Sequence, residues 1–251
     1  MRQDYSIYTK ADHEVWSILF ERQVRHIQDK ASQAYLDGLT AIQFDSDRVP
    51  NFIELNKRLK ALSGWQLREV AGIVPYQEFF EALASKYFPS TIWLRSFEQL
   101  DYLEEPDMFH DVFGHVPLLT NKDFGSFIER LASLALKHLD NLEAIDLISR
   151  LYWFTVEFGL IDENKERKIN GAGILSSMGE TTYSLESPQP GRHPFEIPEL
   201  LSMSYSKDEF QSNYFILNSY DQLFRCVDEL ETMLHHNGAA KMSKPSLQMM
   251  G

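Results

Sequence analysis

His110 and His115 lie five residues apart in the stretch Glu105-Pro106-Asp107-Met108-Phe109-His110-Asp111-Val112-Phe113-Gly114-His115-Val116-Pro117. Imidazole is the commonest side-chain ligand of metals, so two rings at this spacing raise the question of a metal site. Pro106 suits a first helical turn, where a missing N–H costs nothing, and Glu104, Glu105 and Asp107 favour the positive helix start. Gly114 is the residue type expected just past a helix end, and Pro117 discourages Val116 from continuing the helix. The pattern therefore predicts a short helix ending at His110, with His115 beyond a break. On one unbroken α-helix the two rings would stand roughly 140° apart, too far round to share an ion. A break would let them converge. The plainer alternative is a helix end carrying two capping histidines.

A second stretch, Leu147-Ile148-Ser149-Arg150-Leu151-Tyr152-Trp153-Phe154-Thr155-Val156-Glu157-Phe158-Gly159-Leu160, reads as a mostly buried helix. Glu157 is a carboxylate inside that apolar run, and burying it costs free energy unless it is paired, protonated or bound to a cation. Arg150, two turns earlier on the same face, offers a salt bridge. A metal offers the other solution. Two histidines and one carboxylate make the facial triad of non-haem Fe(II) oxygenases, which leaves coordination positions open for O₂. Catalytic zinc uses the same set, so a zinc hydrolase stays open on ligand type alone.

Three ordered blocks carry a resemblance. Pro106-Asp107 with His110-Asp111 and Gly114-His115-Val116-Pro117-Leu118 come first. Tyr152 to Leu160 follow, then Gly171-Ala172-Gly173-Ile174-Leu175-Ser176-Ser177-Met178-Gly179-Glu180. Together they resemble the tetrahydropterin-dependent aromatic amino acid hydroxylases, from about Trp16 to about Val227, and the compact bacterial members most of all. The resemblance implies an Fe(II) enzyme with a tetrahydropterin co-substrate, hydroxylating L-phenylalanine to L-tyrosine with O₂. Another aromatic amino acid (Trp or Tyr) or another ring position remains the alternative. It further implies that His110, His115 and Glu157 are the catalytic metal ligands. It implies that Phe79 stacks on the pterin ring, that Gly72, Val74 and Tyr76 line it, and that Asp111 lies near it in place of a glutamate. Tyr76 departs from the serine of animal members. Arg95 takes the place of the arginine that binds the substrate carboxylate; read without the resemblance, it is a surface partner for Glu98 or Asp101. Trp153 would wall the ring pocket, Ser176 would support the metal ligands and substrate, and Glu180 would stand behind them or in solvent. Ile216 aligns where phenylalanine-hydroxylating members carry an apolar residue and tyrosine-hydroxylating members an aspartate.

Composition narrows the classes. A chain of 251 residues, 43% hydrophobic and 13% aromatic, can bury one sizeable core. A net charge of −13 argues against a nucleic-acid partner or an anionic membrane. The single cysteine, Cys226, can form no internal disulfide. The N-terminus lacks a signal-peptide pattern and no apolar run reaches membrane-span length, so a cytoplasmic location is expected. A monomer is expected too, because no heptad pattern of the kind that tetramerises larger family members occupies 238–251.

The elements that must position the site read as a mainly α, single helical catalytic domain with short β-strands. An arm over 1–12 and a tail over 237–251 flank the domain at 13–236. Helices are expected over His13–Asp29, Ala31–Leu39, Asn51–Leu62, Tyr76–Lys86, Asp123–Leu139 and Gln222–His235. Trp65–Ile73 reads as irregular or partly extended. Strands are expected at Thr91–Ser96 and Tyr214–Ile216, a charged turn at Asn164–Asn170 and an extended loop at Pro188–Pro198. His13, His26 and His193 read as ordinary helix or loop residues.

Overall fold

Apolar side chains at helical spacing, ended by polar caps, define the helices of the computed structural model, which describes residues 2–101, 103 and 105–242. Helix α1 (Lys10–Ile27) begins with a reciprocal capping box between Thr9 and Asp12 and buries Val15, Trp16, Leu19 and Ile27. It is followed by α2 (Gln33–Ile42), α3 (Phe52–Ser63), α4 (Tyr76–Ala84), α5 (Val116–Leu119), α6 (Lys122–Leu136), α7 (Leu142–Tyr152), α8 (Ala172–Leu175), α9 (Met178–Glu186), α10 (Ile197–Ser202) and α11 (Asp221–Met242). Side-chain oxygens of Ser32, Asn51, Asn121, Asn141 and Ser177 accept free N–H groups at the starts of α2, α3, α6, α7 and α9. Among the described residues six short strands lie between the helices: β1 (Gln66–Val70), β2 (Tyr87–Thr91), β3 (Leu160–Glu163), β4 (Glu166–Ile169), β5 (Gly191–Pro194) and β6 (Asn213–Leu217). They form a parallel β1–β2 pair and a four-stranded sheet in the order β4-β3-β6-β5. The mainly α architecture with little sheet is as expected.

Several local expectations move. The strand placed at Thr91–Ser96 lies earlier, at Tyr87–Thr91, and includes Pro89. A two-stranded sheet consists of edges, so a proline without an N–H is tolerated there. Its partner β1 makes up the extended part of the stretch read as irregular or partly extended. The charged turn is a β3–β4 hairpin in which Asn164 and Lys165 both take positive φ (56° and 70°), as a two-residue type I′ turn requires. The Pro188–Pro198 loop contains β5, whose edge position again admits proline. Residues of the expected arm are tied down: Gln3 donates to the Pro50 carbonyl and accepts from Phe52 N–H, and Tyr8 donates to the Ile92 carbonyl. Helix α11 runs through Asn237–Met242, which had been read as tail; the rest of that tail lies outside the described residues.

Between β2 and α6 the chain makes a π-helical segment, Phe109–His115, that runs directly into α5. Its rear is aromatic. Phe109 and Phe113 stack 4.8 Å apart, Trp16 meets Phe109 edge-on at 5.6 Å, and Phe20 meets Phe113 at 5.6 Å. Tyr35, fully buried on α2, donates its hydroxyl to the Phe113 carbonyl at 2.7 Å. Burying Phe109 and Phe113 against α1 and α2 leaves the histidines to turn the other way. Helix α7 likewise continues as a second π-helical segment, Trp153–Glu157, closed by a Phe158 N–H to Trp153 carbonyl bond of 2.8 Å.

Candidate metal centre

A π-helical turn bonds residue i to residue i+5, so positions five apart come to lie over one another. That is the spacing of His110 and His115. The sequence pointed to a broken helix; the structure replaces the break with a widened turn. Gly114 accordingly does not cap anything. A Cβ on it would stand 2.9 Å from the Ala172 carbonyl oxygen and 3.2 Å from the Ala172 side chain, so its bareness lets α8 close on the first π segment. Gly171 has the same function beside the second segment, where a Cβ would meet the Glu157 carbonyl oxygen at 2.3 Å.

The two segments bring three donors together. His110 Nε2 and His115 Nε2 are 3.3 Å apart, His115 Nε2 lies 3.3 Å from Glu157 Oε1, and His110 Nε2 lies 3.6 Å from Glu157 Oε2. Donors about 2.1 Å from one ion stand roughly 3.0–3.4 Å apart in octahedral or tetrahedral geometry, so the set fits a single metal. It is the only such group of three among the described residues. Arg150 does not take Glu157; it pairs with Asp146 at 2.8 Å and donates to the Met203 carbonyl. Three other histidines spend their rings elsewhere: His13 on Val49 N–H, His26 on Thr182, and His193 on Glu199 and Asn213.

Electrostatics suit a cation. Burial pushes the His110 imidazole down to about 4, which keeps it neutral as a ligand must be. Burial pushes the Glu157 carboxyl up, but His115 first, then His110 and the nearby Tyr152 hydroxyl, together bring it below its ordinary value. Ser176, just after α8, fixes the tautomer of His110. Its Oγ lies 2.8 Å from the Ala172 carbonyl, to which it donates, and 2.9 Å from His110 Nδ1, from which it must then accept. Nδ1 therefore carries the proton, and the Nε2 lone pair faces the other ligands. Gly114→Ala should push α8 and Ser176 away and weaken metal affinity by about 10- to 100-fold, the usual cost of losing a ligand's supporting hydrogen bond. Chelator competition measures this, and wild-type affinity would contradict it.

Arg95 is buried, not superficial, and it does not pair with Glu98 or Asp101; Asp101 pairs with Arg22. Its Nε and one terminal nitrogen hold both oxygens of the fully buried Asp107 at 2.8 and 2.9 Å. Asp107 also accepts from the Arg95 and His110 backbone N–H groups. Asp111 accepts from Thr91 N–H (2.7 Å) and Thr91 Oγ1 (3.0 Å), and burial pushes its carboxyl up to about 7. Phe79 lies edge-on to Tyr152, centroids 5.4 Å apart, and so reaches the neighbourhood of Glu157. Gly72 and Val74 lie on the loop before α4 and make no hydrogen bond to the triad. A Cβ on Gly72 would meet nothing within 4 Å, so the space above that loop is open. Tyr76, half exposed, reaches only toward the Leu139 carbonyl at 3.5 Å. An aromatic ring in the neighbourhood of the triad fits a planar heterocycle, which could stack on it. Trp153 stacks on Tyr205, and Ile216 sits half-buried on β6 opposite Leu160.

Two residues were not read from the sequence for what they do. Asp107 was noted only as a helix-start acid, yet its neighbour in space, Arg95, was in view twelve residues earlier. The Tyr152 hydroxyl is enclosed and has no hydrogen-bond partner of good geometry among the described residues, though it lies beside Glu157. A tyrosine five residues before a glutamate in the same apolar run was the available signal.

A helical domain gathering two histidines and a glutamate on one face has the ligand set of a non-haem iron oxygenase. Comparison with known proteins narrows that class. Residues 4–241 match the biopterin-dependent aromatic amino acid hydroxylase family, and the chain belongs to it. It is 44% identical over 217 residues to the phenylalanine-4-hydroxylase of Chromobacterium violaceum, covering 86% of this chain and 73% of that one. The structure superposes on that enzyme's crystal structure with iron(III) and 7,8-dihydrobiopterin at a TM-score of 0.88, with 42% identity, covering 94% of this chain and 86% of the other. Its iron- and phenylalanine-bound crystal structure gives a TM-score of 0.86 at 40% identity, covering 94% and 87%.

Proposed function

We propose that the protein is a phenylalanine 4-monooxygenase, converting L-phenylalanine to L-tyrosine with O₂, ferrous iron and a tetrahydropterin. The convergence of His110, His115 and Glu157 within this family's fold carries the reading. His110 Nε2, His115 Nε2 and a Glu157 oxygen would hold iron on one face. Iron and tetrahydropterin, when bound, supply the activation of O₂ and the transfer of one oxygen atom. The chain supplies position. Asp107 neutralises and orients Arg95, leaving one terminal nitrogen of the guanidinium for the substrate carboxylate. Trp153 walls the substrate ring. Phe79 stacks on the pterin, with Gly72, Val74 and Tyr76 along its edge. Asp111 acts through Thr91 on the floor between β2 and the first π segment. Phe88, whose ring lies 4.4 Å from that of His115, and Phe79 help keep water from the reacting face.

The direct test supplies purified protein with Fe(II), a tetrahydropterin and O₂, and compares phenylalanine, tyrosine and tryptophan. Tyrosine formed from phenylalanine, with oxygen consumed, is expected; meta-tyrosine, or preference for another amino acid, would refute the substrate reading. The apolar Ile216 sets the size of the preference. An apolar pocket rejects an added hydroxyl only weakly, so kcat/KM should favour phenylalanine over tyrosine by roughly 10- to 200-fold. Ile216→Asp should narrow that ratio.

A cytoplasmic monomer completes the proposal. A charge of −13 on 251 residues opposes self-association, and the free thiol of Cys226 suits a reducing compartment. No described helix is long and apolar enough to cross a membrane.

A further inference from the structure

Trp153 opens the second π segment, and its indole is held on three sides. Tyr205 stacks on it, centroids 4.4 Å apart and planes 20° apart, and Phe158 lies 4.7 Å away. The indole N–H donates to Gln211 Oε1 at 2.9 Å. Gln211 is only 2% exposed although it closes an irregular stretch, Met203–Ser212, between α10 and β6. Its amide cannot be turned over. Nε2 donates to the Ser206 carbonyl at 2.7 Å and the Glu209 carbonyl at 3.2 Å, and a flipped amide would set oxygen against both. Its backbone N–H donates to Glu180 Oε1 at 3.1 Å, and the same oxygen accepts from the Tyr214 hydroxyl at 2.5 Å. Glu180 is 4% exposed and lies in the first turn of α9, next to the Ser176–Ser177 corner that supports His110. Burial pushes its carboxyl up, against the opposing bonds from Tyr214 and Gln211. A buried polar chain with every member paired, placed between the metal ligands' support and an aromatic wall, fixes geometry.

We propose that Gln211 is a positioning residue for the aromatic substrate: it sets the direction of the Trp153 indole within its plane by taking its N–H, and Glu180 holds Gln211 in place. This rests on Trp153 walling the substrate ring. Stacking by Tyr205 and Phe158 fixes the plane but lets the indole slide within it; the N–H bond removes that freedom. Gln211 touches neither the ligands nor the substrate carboxylate's arginine, so its effect falls on binding of the ring and not on iron or on the chemical step.

A double-mutant cycle on the iron-loaded full chain tests this, with Gln211→Met and Trp153→Phe singly and together. Gln211→Met should raise KM for phenylalanine about fivefold to tenfold, the worth of one neutral hydrogen bond, with kcat and iron content close to wild type. In the Trp153→Phe background, where no indole N–H remains, the same substitution should change KM little. Equal effects in both backgrounds, or a fall in kcat with KM unchanged, overturns the proposal. Should Gln211→Met fail to fold, Glu180→Ala reads the same link: it should raise KM, and Glu180→Gln, which keeps an accepting oxygen, should restore it. A Glu180→Gln enzyme as impaired as Glu180→Ala also overturns it. Wild-type turnover of phenylalanine is measured first, so its absence counts against the assigned activity, and an additive cycle counts against Gln211 alone.

Discussion

Alanine at His110, His115 or Glu157 should leave the purified protein without bound iron and reduce phenylalanine hydroxylation to the uncatalysed background. A facial triad has no spare donor, and no fourth His, Cys, Asp or Glu joins the group among the described residues. The fold should survive. The rear of the first π segment is held by Phe109, Phe113 and Tyr35, none of which belongs to the donor set, and Glu157→Ala removes a carboxylate from a largely enclosed position. Metal analysis and thermal melting together make the check. Iron near one per chain and ordinary activity in any of the three variants would strike that residue from the ligand set. A collapse of melting temperature would mean that the variant reports folding instead.

Arg95→Ala is expected to do two things at once. The substrate loses a charge-assisted partner, which should raise KM by about 10- to 100-fold, corresponding to about 1.5–3 kcal/mol. The buried Asp107 carboxylate also loses its cation, and breaking a buried pair from one side costs about 3–5 kcal/mol of stability. Arg95→Lys separates the effects. It keeps the charge beside Asp107 but not the two-pronged fork, so stability should recover more than KM does. Calorimetric melting beside steady-state kinetics in phenylalanine decides the matter; an Arg95→Ala enzyme with unchanged KM would remove Arg95 from the substrate site.

Much of this arrangement was legible in the residues, and what was not has a physical reason. The long helices follow from apolar spacing and Asx or Ser/Thr caps, which act over a few residues and need no partner. The triad followed from residue type: two imidazoles and a carboxylate in apolar surroundings. Its means of convergence did not, because Gly114 and Pro117 carry the same local signal whether a helix stops or widens. Only packing against Ala172, distant in sequence, decides between the two. Arg95 and Asp107 were each visible, yet their pairing depends on the turn after β2. Gln211 has no local signature at all. A glutamine in a polar stretch looks solvated until Trp153 and Glu180 arrive from other elements. The misplaced strand at Thr91–Ser96 has the same cause, since pairing with β1 rewards Tyr87–Thr91 despite its proline.

The two π-helical segments have a consequence for how such a site can change. Each differs from plain α-helix by about one surplus residue, and each residue in an α-helix turns the chain by about 100°. Deleting a single codon within Phe109–His115 would let that helix relax to regular winding and swing His115 off the face of His110, with every ligand still encoded. Deletion within Trp153–Glu157 would do the same to Glu157. A point substitution abolishes this metal centre only by removing a ligand, whereas a reading-frame-preserving insertion or deletion can abolish it with every ligand retained. Among homologues, alignment gaps in these two seven- and five-residue windows should therefore track loss of metal more closely than substitutions anywhere else in the core.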